Sequence, residues 1–119
     1  ERGLPSHVTF EQADATALPF PPESFDFAYA LNVLHHIAEY RRALGEVFRV
    51  LKPGGRLWFQ DLTRDFLALP VVRTLFPAEA FFTAGDLWTE LPKVGYVIEH
   101  FAGRWIVFVR AAKPGDGQT

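Results

Sequence analysis

The apolar positions of this chain change period several times, and each change marks a new element. His7 to Gln12 is short and rich in β-formers, which predicts a first strand. Pro19-Phe20-Pro21-Pro22-Glu23-Ser24 cannot continue a ladder and must be a loop. Phe25 to Leu31 (FDFAYAL) is apolar on both faces, the pattern of a strand covered by helices on either side. Tyr40, Leu44, Val47, Phe48 and Leu51 then recur at a helical period and predict an amphipathic helix from about Ala38 to Leu51. On its polar side Arg42 and Glu46 stand four apart and are placed to pair. Lys52 falls at the negative end of the helix dipole, and Pro53-Gly54-Gly55 stops the helix. Arg56 to Leu62 (RLWFQDL) returns to a strand pattern. Strand, helix and strand at this spacing allow a right-handed parallel crossover.

Beyond Thr63 the pattern is more broken. Arg64 to Phe76 reads as helical but is interrupted by Pro70, Pro77 opens a further short helix, and Gly85 to Leu91 forms another that Pro92 ends. Tyr96 to Phe101 and Arg104 to Ala111 are strands joined by Ala102-Gly103, hence an antiparallel hairpin. The fold class is α/β, mostly parallel, with one antiparallel strand at the end. Residues 1–112 make one domain, and the tail from Lys113 to Thr119 reads as disordered.

Composition narrows the function. In 119 residues, 12 Lys and Arg against 14 Asp and Glu leave a formal net charge of −2, so there is no broad basic face for nucleic acid or anionic lipid. With no Cys, disulfides, thiolate metal sites and a Cys nucleophile are excluded. The longest apolar run, Phe66 to Val72, contains Pro70 and falls far short of the about 20 residues that span a bilayer. A cytoplasmic location is the expectation. There is also no Met, not even at position 1, and a piece of a longer protein is expected on that ground.

The candidate chemistry is sparse. Gly54-Gly55 follows a helix and opens a strand, the reverse of the order in a phosphate-binding loop, so it is a turn. Adjacent His35 and His36 diverge by about 100° on a helix and lack further ligands at chelating distance, so no metal site is expected. Ser6 and Ser24 lie in no nucleophile elbow. A nicotinamide-dependent oxidoreductase would suit the architecture but has no fingerprint here. Asp14, just past the first strand, and Leu31, Asn32 and His36, after the second, fall at the carboxyl edge of a parallel sheet, where ligands of open α/β folds bind. Gln60 and Asp61 end the third strand at the same edge. Asp14 could equally begin a local turn or helix.

These residues form a larger pattern. Asp14-Ala15 with Leu18-Pro19-Phe20, then Ser24-Phe25-Asp26, Leu34-His35-His36 and the run Arg49-Val50-Leu51-Lys52-Pro53-Gly54-Gly55-Arg56-Leu57 together resemble the class I S-adenosylmethionine-dependent methyltransferases. The spacing is similar to that of the small-molecule branch that includes the ubiquinone and menaquinone methyltransferases, over residues 8 to 62. The resemblance implies a Rossmann-like sheet of order 3-2-1-4-5-7-6, of which this chain supplies strands 3 to 7. It implies S-adenosyl-L-methionine as cofactor, with Asp14 accepting from the adenine amino group and the Ala15 N–H meeting a ring nitrogen. Leu31 would face the methionine part through its backbone, and Asn32 and His36 would line the pocket toward a small-molecule methyl acceptor.

The family's glycine-rich loop and ribose-binding acid belong to strands 1 and 2, which the same matching puts before Glu1. The expectation is therefore the C-terminal portion of a methyltransferase, inactive by itself. No catalytic residue is identified, and His35, His36 and Asp61 are the only candidates. The alternative is a non-catalytic module that self-associates through unpaired sheet edges, as a homodimer or a strand-exchanged assembly.

Overall fold

A computed structural model of the chain describes residues 11–65 and 81–115. Its elements are β1 (Phe25–Leu31), a 3-10 turn (Leu34–His36), α1 (Tyr40–Val50), β2 (Leu51–Leu62), α2 (Ala84–Val94), β3 (Val97–Ala102) and β4 (Ile106–Ala112). The strands form one sheet in the order β1-β2-β4-β3. β1 and β2 run parallel, with Ala28 opposite Leu57 and Ala30 opposite Phe59, and α1 makes the crossover between them. β4 pairs antiparallel with both β2 and β3, so the predicted hairpin is present and the described sheet is mixed.

Alternation along β2 and β4 decides which face is the core. Leu57, Phe59, Val107, Val109 and Ala111 are buried together with Ala43 and Leu44 of α1 and Leu87 and Leu91 of α2. Both helices thus cover one face, and each buried Leu contributes roughly 1.5–3 kcal/mol relative to exposure. The opposite face differs from the expectation of a strand covered on both sides. Phe27, Tyr29 and Leu31 of β1 are 50%, 61% and 49% exposed, and Trp58 and Phe108 beside them are 42% and 48% exposed. Among the described residues no helix lies over them.

Several boundaries depart from the sequence reading for physical reasons. α1 ends at Val50, ahead of the Pro-Gly-Gly turn, because Leu51 is already extended and fully buried at the start of β2. The β1–β2 register jumps from Phe25↔Leu51 to Phe27↔Arg56, so Lys52 to Gly55 bulge out of the ladder. Gly54 has φ +85°, and a side chain on Gly55 would meet the Lys52 carbonyl at 2.8 Å. Lys52 lies 3.5 Å from Asp26, and it is Lys113 that donates to the helix-end carbonyls of Phe48 and Leu51, at 3.0 and 2.9 Å. Lys113 also exchanges backbone hydrogen bonds of 2.8 Å with Gly54 and Gly55. Lys113, the first residue of the expected tail, thus hydrogen-bonds at the sheet margin.

Arg42 does not pair with Glu46. It lies 3.6 Å from Glu39, while Glu46 bonds Arg49 at 2.9 Å. Pro92 does not end α2 but sits inside its last turn, where the Gly95 N–H closes onto the Leu91 and Pro92 carbonyls. The start of α2 is fixed by a capping box: the Thr83 hydroxyl accepts the Asp86 N–H and the Asp86 carboxylate accepts the Thr83 N–H, both at 3.0 Å. Of the predicted first strand, Glu11 and Gln12 are described and belong to no strand. The rest of that strand, most of the Arg64–Phe76 helix and the helix expected at Pro77 lie outside the described residues.

Candidate functional site

The candidate site is the loop that leaves the carboxyl end of β1. Leu31 still pairs with Gln60 of β2. Asn32 turns the chain with φ +53°, a left-handed conformation that Asn tolerates better than most side chains, and donates its N–H to the Gln60 carbonyl at 2.8 Å. The 3-10 turn follows, closed by the His36 N–H onto the Val33 carbonyl at 3.1 Å and the Ile37 N–H onto Leu34 at 3.0 Å. No side chain caps this turn from its own segment. Asp61, fully buried at the end of β2, does so from across the sheet: its Oδ2 accepts the Leu34 N–H at 2.8 Å. Its Oδ1 accepts from Leu62 at 3.0 Å. Of the three catalytic candidates, Asp61 is therefore buried and accepts from two backbone amides, and His36 is exposed on the turn. His35 shares the turn, and its side chain lies outside the described part.

Asp14 occupies a separate turn. The Thr16 N–H and hydroxyl both donate to Asp14 Oδ1, at 2.8 and 2.7 Å, and the Ala17 N–H donates to the Asp14 carbonyl at 3.0 Å. These Thr16 hydrogen bonds hold the carboxyl below its ordinary value, and the charge of Arg42 on α1 adds in the same direction. Among the described residues nothing donates to Asp14 Oδ2, and the Ala15 N–H has no acceptor. Ala15 itself is half-buried against the core. The local-turn reading of Asp14 is thus realised, but it uses only one carboxylate oxygen. The sequence places Leu31, Asn32 and His36 at the end of this strand; in the structure Leu31 is its last residue, and Asn32 and His36 lie in the loop that follows. No hydrogen bond among the described residues joins that loop to Asp14.

Sequence reasoning missed what holds the segment after Asp14. Arg49 donates to the carbonyls of Phe20 and Leu18 at 2.9 and 3.0 Å, and Glu46 accepts the Leu18 N–H at 2.8 Å. Arg49 and Leu18-Pro19-Phe20 are both in the quoted pattern, which was the available signal. Their contact is not a matter of spacing and could not be read from it.

Among the described residues no helix is long and apolar enough to cross a membrane. None of their His, Asp or Glu residues gather in a cluster able to hold a metal ion.

An open α/β sheet with a strand-end loop poised at its carboxyl edge has the geometry of a nucleotide-cofactor fold. A family model described as a methyltransferase domain matches residues 1–59. The chain is 36% identical over 98 residues to the ubiquinone/menaquinone biosynthesis C-methyltransferase UbiE of Serratia proteamaculans (strain 568), covering 82% of this chain and 36% of that protein. It is 46% identical over 63 residues to the 27-O-demethylrifamycin SV methyltransferase of Amycolatopsis mediterranei (strain S699), covering 53% of this chain and 22% of that protein. Among solved structures, the [4+2]-cyclase SpnF superimposes with a TM-score of 0.80 at 23% identity, over 96% of this chain and 60% of that one. A Thermotoga maritima S-adenosylmethionine-dependent methyltransferase, a possible histamine N-methyltransferase, does so with a TM-score of 0.71 at 26% identity, over 89% of this chain and 64% of that one. Sequence and fold agree on a methyltransferase domain, and the chain resembles the class I S-adenosylmethionine-dependent methyltransferases, UbiE among them. It spans 36% of the length of the UbiE protein and 22% of that of the demethylrifamycin methyltransferase.

Proposed function

We propose that this chain is the C-terminal portion of a cytoplasmic S-adenosylmethionine-dependent methyltransferase acting on a small molecule, and that it is inactive by itself. The observation that carries the reading is the pair of unused polar groups at the Asp14 turn. Among the described residues Asp14 Oδ2 is an open acceptor and the adjacent Ala15 N–H an open donor. An adenine edge offers the complement, an amino donor beside a ring-nitrogen acceptor. The residues present fit the adenine end of the cofactor. When bound, S-adenosylmethionine supplies a sulfonium methyl that passes to an O, N or C nucleophile of the acceptor. The protein's share is alignment and exclusion of water. Leu31 would meet the methionine part through its backbone, and Asn32 and His36 would form the wall toward the acceptor. The test is methyl transfer and S-adenosylhomocysteine binding by the full-length gene product. Binding without transfer to any small acceptor would point to other chemistry on this fold, a possibility the SpnF likeness makes concrete.

A second reading, a non-catalytic module that self-associates, is favoured by the bare sheet face. Phe27 and Trp58 stack edge to face there with ring centres 5.4 Å apart. Toward β3 the same face turns charged, with Arg56 2.8 Å and Arg110 3.4 Å from Glu99. An apolar strip beside a charged one suits a second copy laid across the face as a homodimer. Sedimentation of the chain separates the readings: a dimer at micromolar concentration supports the module, and a monomer counts against it.

A further inference from the structure

Asp61 is the most deeply buried charged side chain among the described residues, at 0% exposure. Burying a carboxylate costs several kcal/mol before its partners are counted, so a position needing only volume would be better filled by an apolar side chain. What Asp61 provides is reach. It stands on β2, 27 residues from Leu34 in sequence, and its Oδ2 accepts the Leu34 N–H at 2.8 Å. That N–H opens a turn with no side-chain cap of its own. Directly before it, Asn32 is held at φ +53° by its own bond to the Gln60 carbonyl, at 2.8 Å. Two consecutive residues of β2 therefore clamp both sides of Val33. The Asn32–His36 loop, closed by its own backbone bonds, is thereby fastened to β2 at two points.

We infer that Asp61 is a positioning residue, whose buried carboxylate sets the Asn32–His36 loop in the conformation that receives the methyl donor. This inference rests on the methyltransferase reading. Asp61 touches neither cofactor nor acceptor in it and acts through the Leu34 amide. A charge-assisted bond to a backbone N–H is among the stronger hydrogen bonds, so its loss should be felt by the loop as a whole. An Asn side chain keeps an oxygen able to accept the same N–H, whereas Ala keeps nothing.

The experiment compares wild type, Asp61→Asn and Asp61→Ala in the full-length gene product. Leu34 amide exchange and S-adenosylhomocysteine affinity are read together. Asp61→Ala is expected to speed Leu34 exchange and to weaken S-adenosylhomocysteine by about tenfold. Asp61→Asn is expected to recover affinity to within about threefold of wild type. If Asp61→Ala does not fold, Asp61→Asn decides. Retained Leu34 protection with affinity near wild type supports the inference, and retained protection with affinity lost overturns it. Faster Leu34 exchange in Asp61→Ala with affinity unchanged within about twofold also overturns it, leaving Asp61 a structural cap. Wild type that binds no S-adenosylhomocysteine overturns the methyltransferase reading itself, and the inference with it.

Discussion

Glu46 and Arg49, one turn apart on α1, lie 2.9 Å from each other, and each also leaves the helix to hold the loop at Leu18. The carboxylate takes the Leu18 N–H while the guanidinium takes the Leu18 and Phe20 carbonyls. The segment carrying Asp14 is thereby fastened to the crossover helix. The Arg49 hydrogen bond, with that of Leu18, keeps the Glu46 carboxyl below its ordinary value of 4.5. A carboxyl lowered in the folded state adds stability above its unfolded pKa and loses it as pH falls through the folded one. The Leu18 amide is therefore expected to lose protection as pH falls below 4.5, and to lose it at neutral pH in Glu46→Ala, which removes the acceptor. Exchange measured by NMR checks this; Leu18 protection as high in Glu46→Ala as in wild type at neutral pH would contradict it.

Two buried tyrosines should respond oppositely to losing a hydroxyl. Tyr96 Oη donates to the Leu44 carbonyl at 2.9 Å, tying β3 to α1. The Tyr40 hydroxyl is buried with no hydrogen-bond partner among the described residues, and burial raises its pKa. Tyr96→Phe is expected to cost about 0.5–1.5 kcal/mol, and Tyr40→Phe to be neutral or stabilising by up to about 1 kcal/mol. Denaturant unfolding of both variants measures the difference. Equal losses would show that Tyr40 has a partner.

Gly55 stands where the Lys52–Gly55 bulge crosses β1. A Cβ there would lie 2.8 Å from the Lys52 carbonyl and 3.1 Å from the Asp26 carbonyl, both backbone atoms. Gly55→Ala is expected to lower stability by about 1–3 kcal/mol, because backbone on both sides cannot step aside. A melting temperature equal to wild type would mean the bulge is looser than described.

Most of the fold was legible because it rests on local period. The stripe of Tyr40 and Leu44 is buried in α1, and the strands about Gly103 pair as a hairpin. What stayed hidden depends on partners distant in sequence. Glu46 faced a choice between Arg42 and Arg49, and the Leu18 amide decided it. Lys113 looked like tail until the Phe48 and Leu51 carbonyls gave its ammonium a place. In the site, the sequence put Asn32 and His36 just past a strand, where they follow β1, but left Asp61 undetermined between catalysis and structure. Its burial is set by β2 and the turn together, and no spacing within either segment encodes that.

Asp14 separates a cofactor contact from a local cap. Thr16 is bound through Oδ1 alone, so Oδ2 remains for a ligand. Asp14→Ala in the full-length gene product is expected to weaken S-adenosylhomocysteine by about tenfold or more, with little change in melting temperature. Affinity within about twofold of wild type would return Asp14 to a purely local role.

The central claim is tested most directly by titration calorimetry of S-adenosylhomocysteine into two samples, the full-length gene product and the 119-residue chain. The adenine side of the proposed site lies in this chain, whereas the glycine loop and ribose acid implied by the resemblance do not. Losing two charge-assisted hydrogen bonds removes about 3–6 kcal/mol, enough to take a micromolar site to about 0.15 mM or weaker. The account predicts saturable binding by the full-length product and none tighter than about 50 µM by the chain alone. Tight binding by the chain alone, or none by the full-length product, would contradict it.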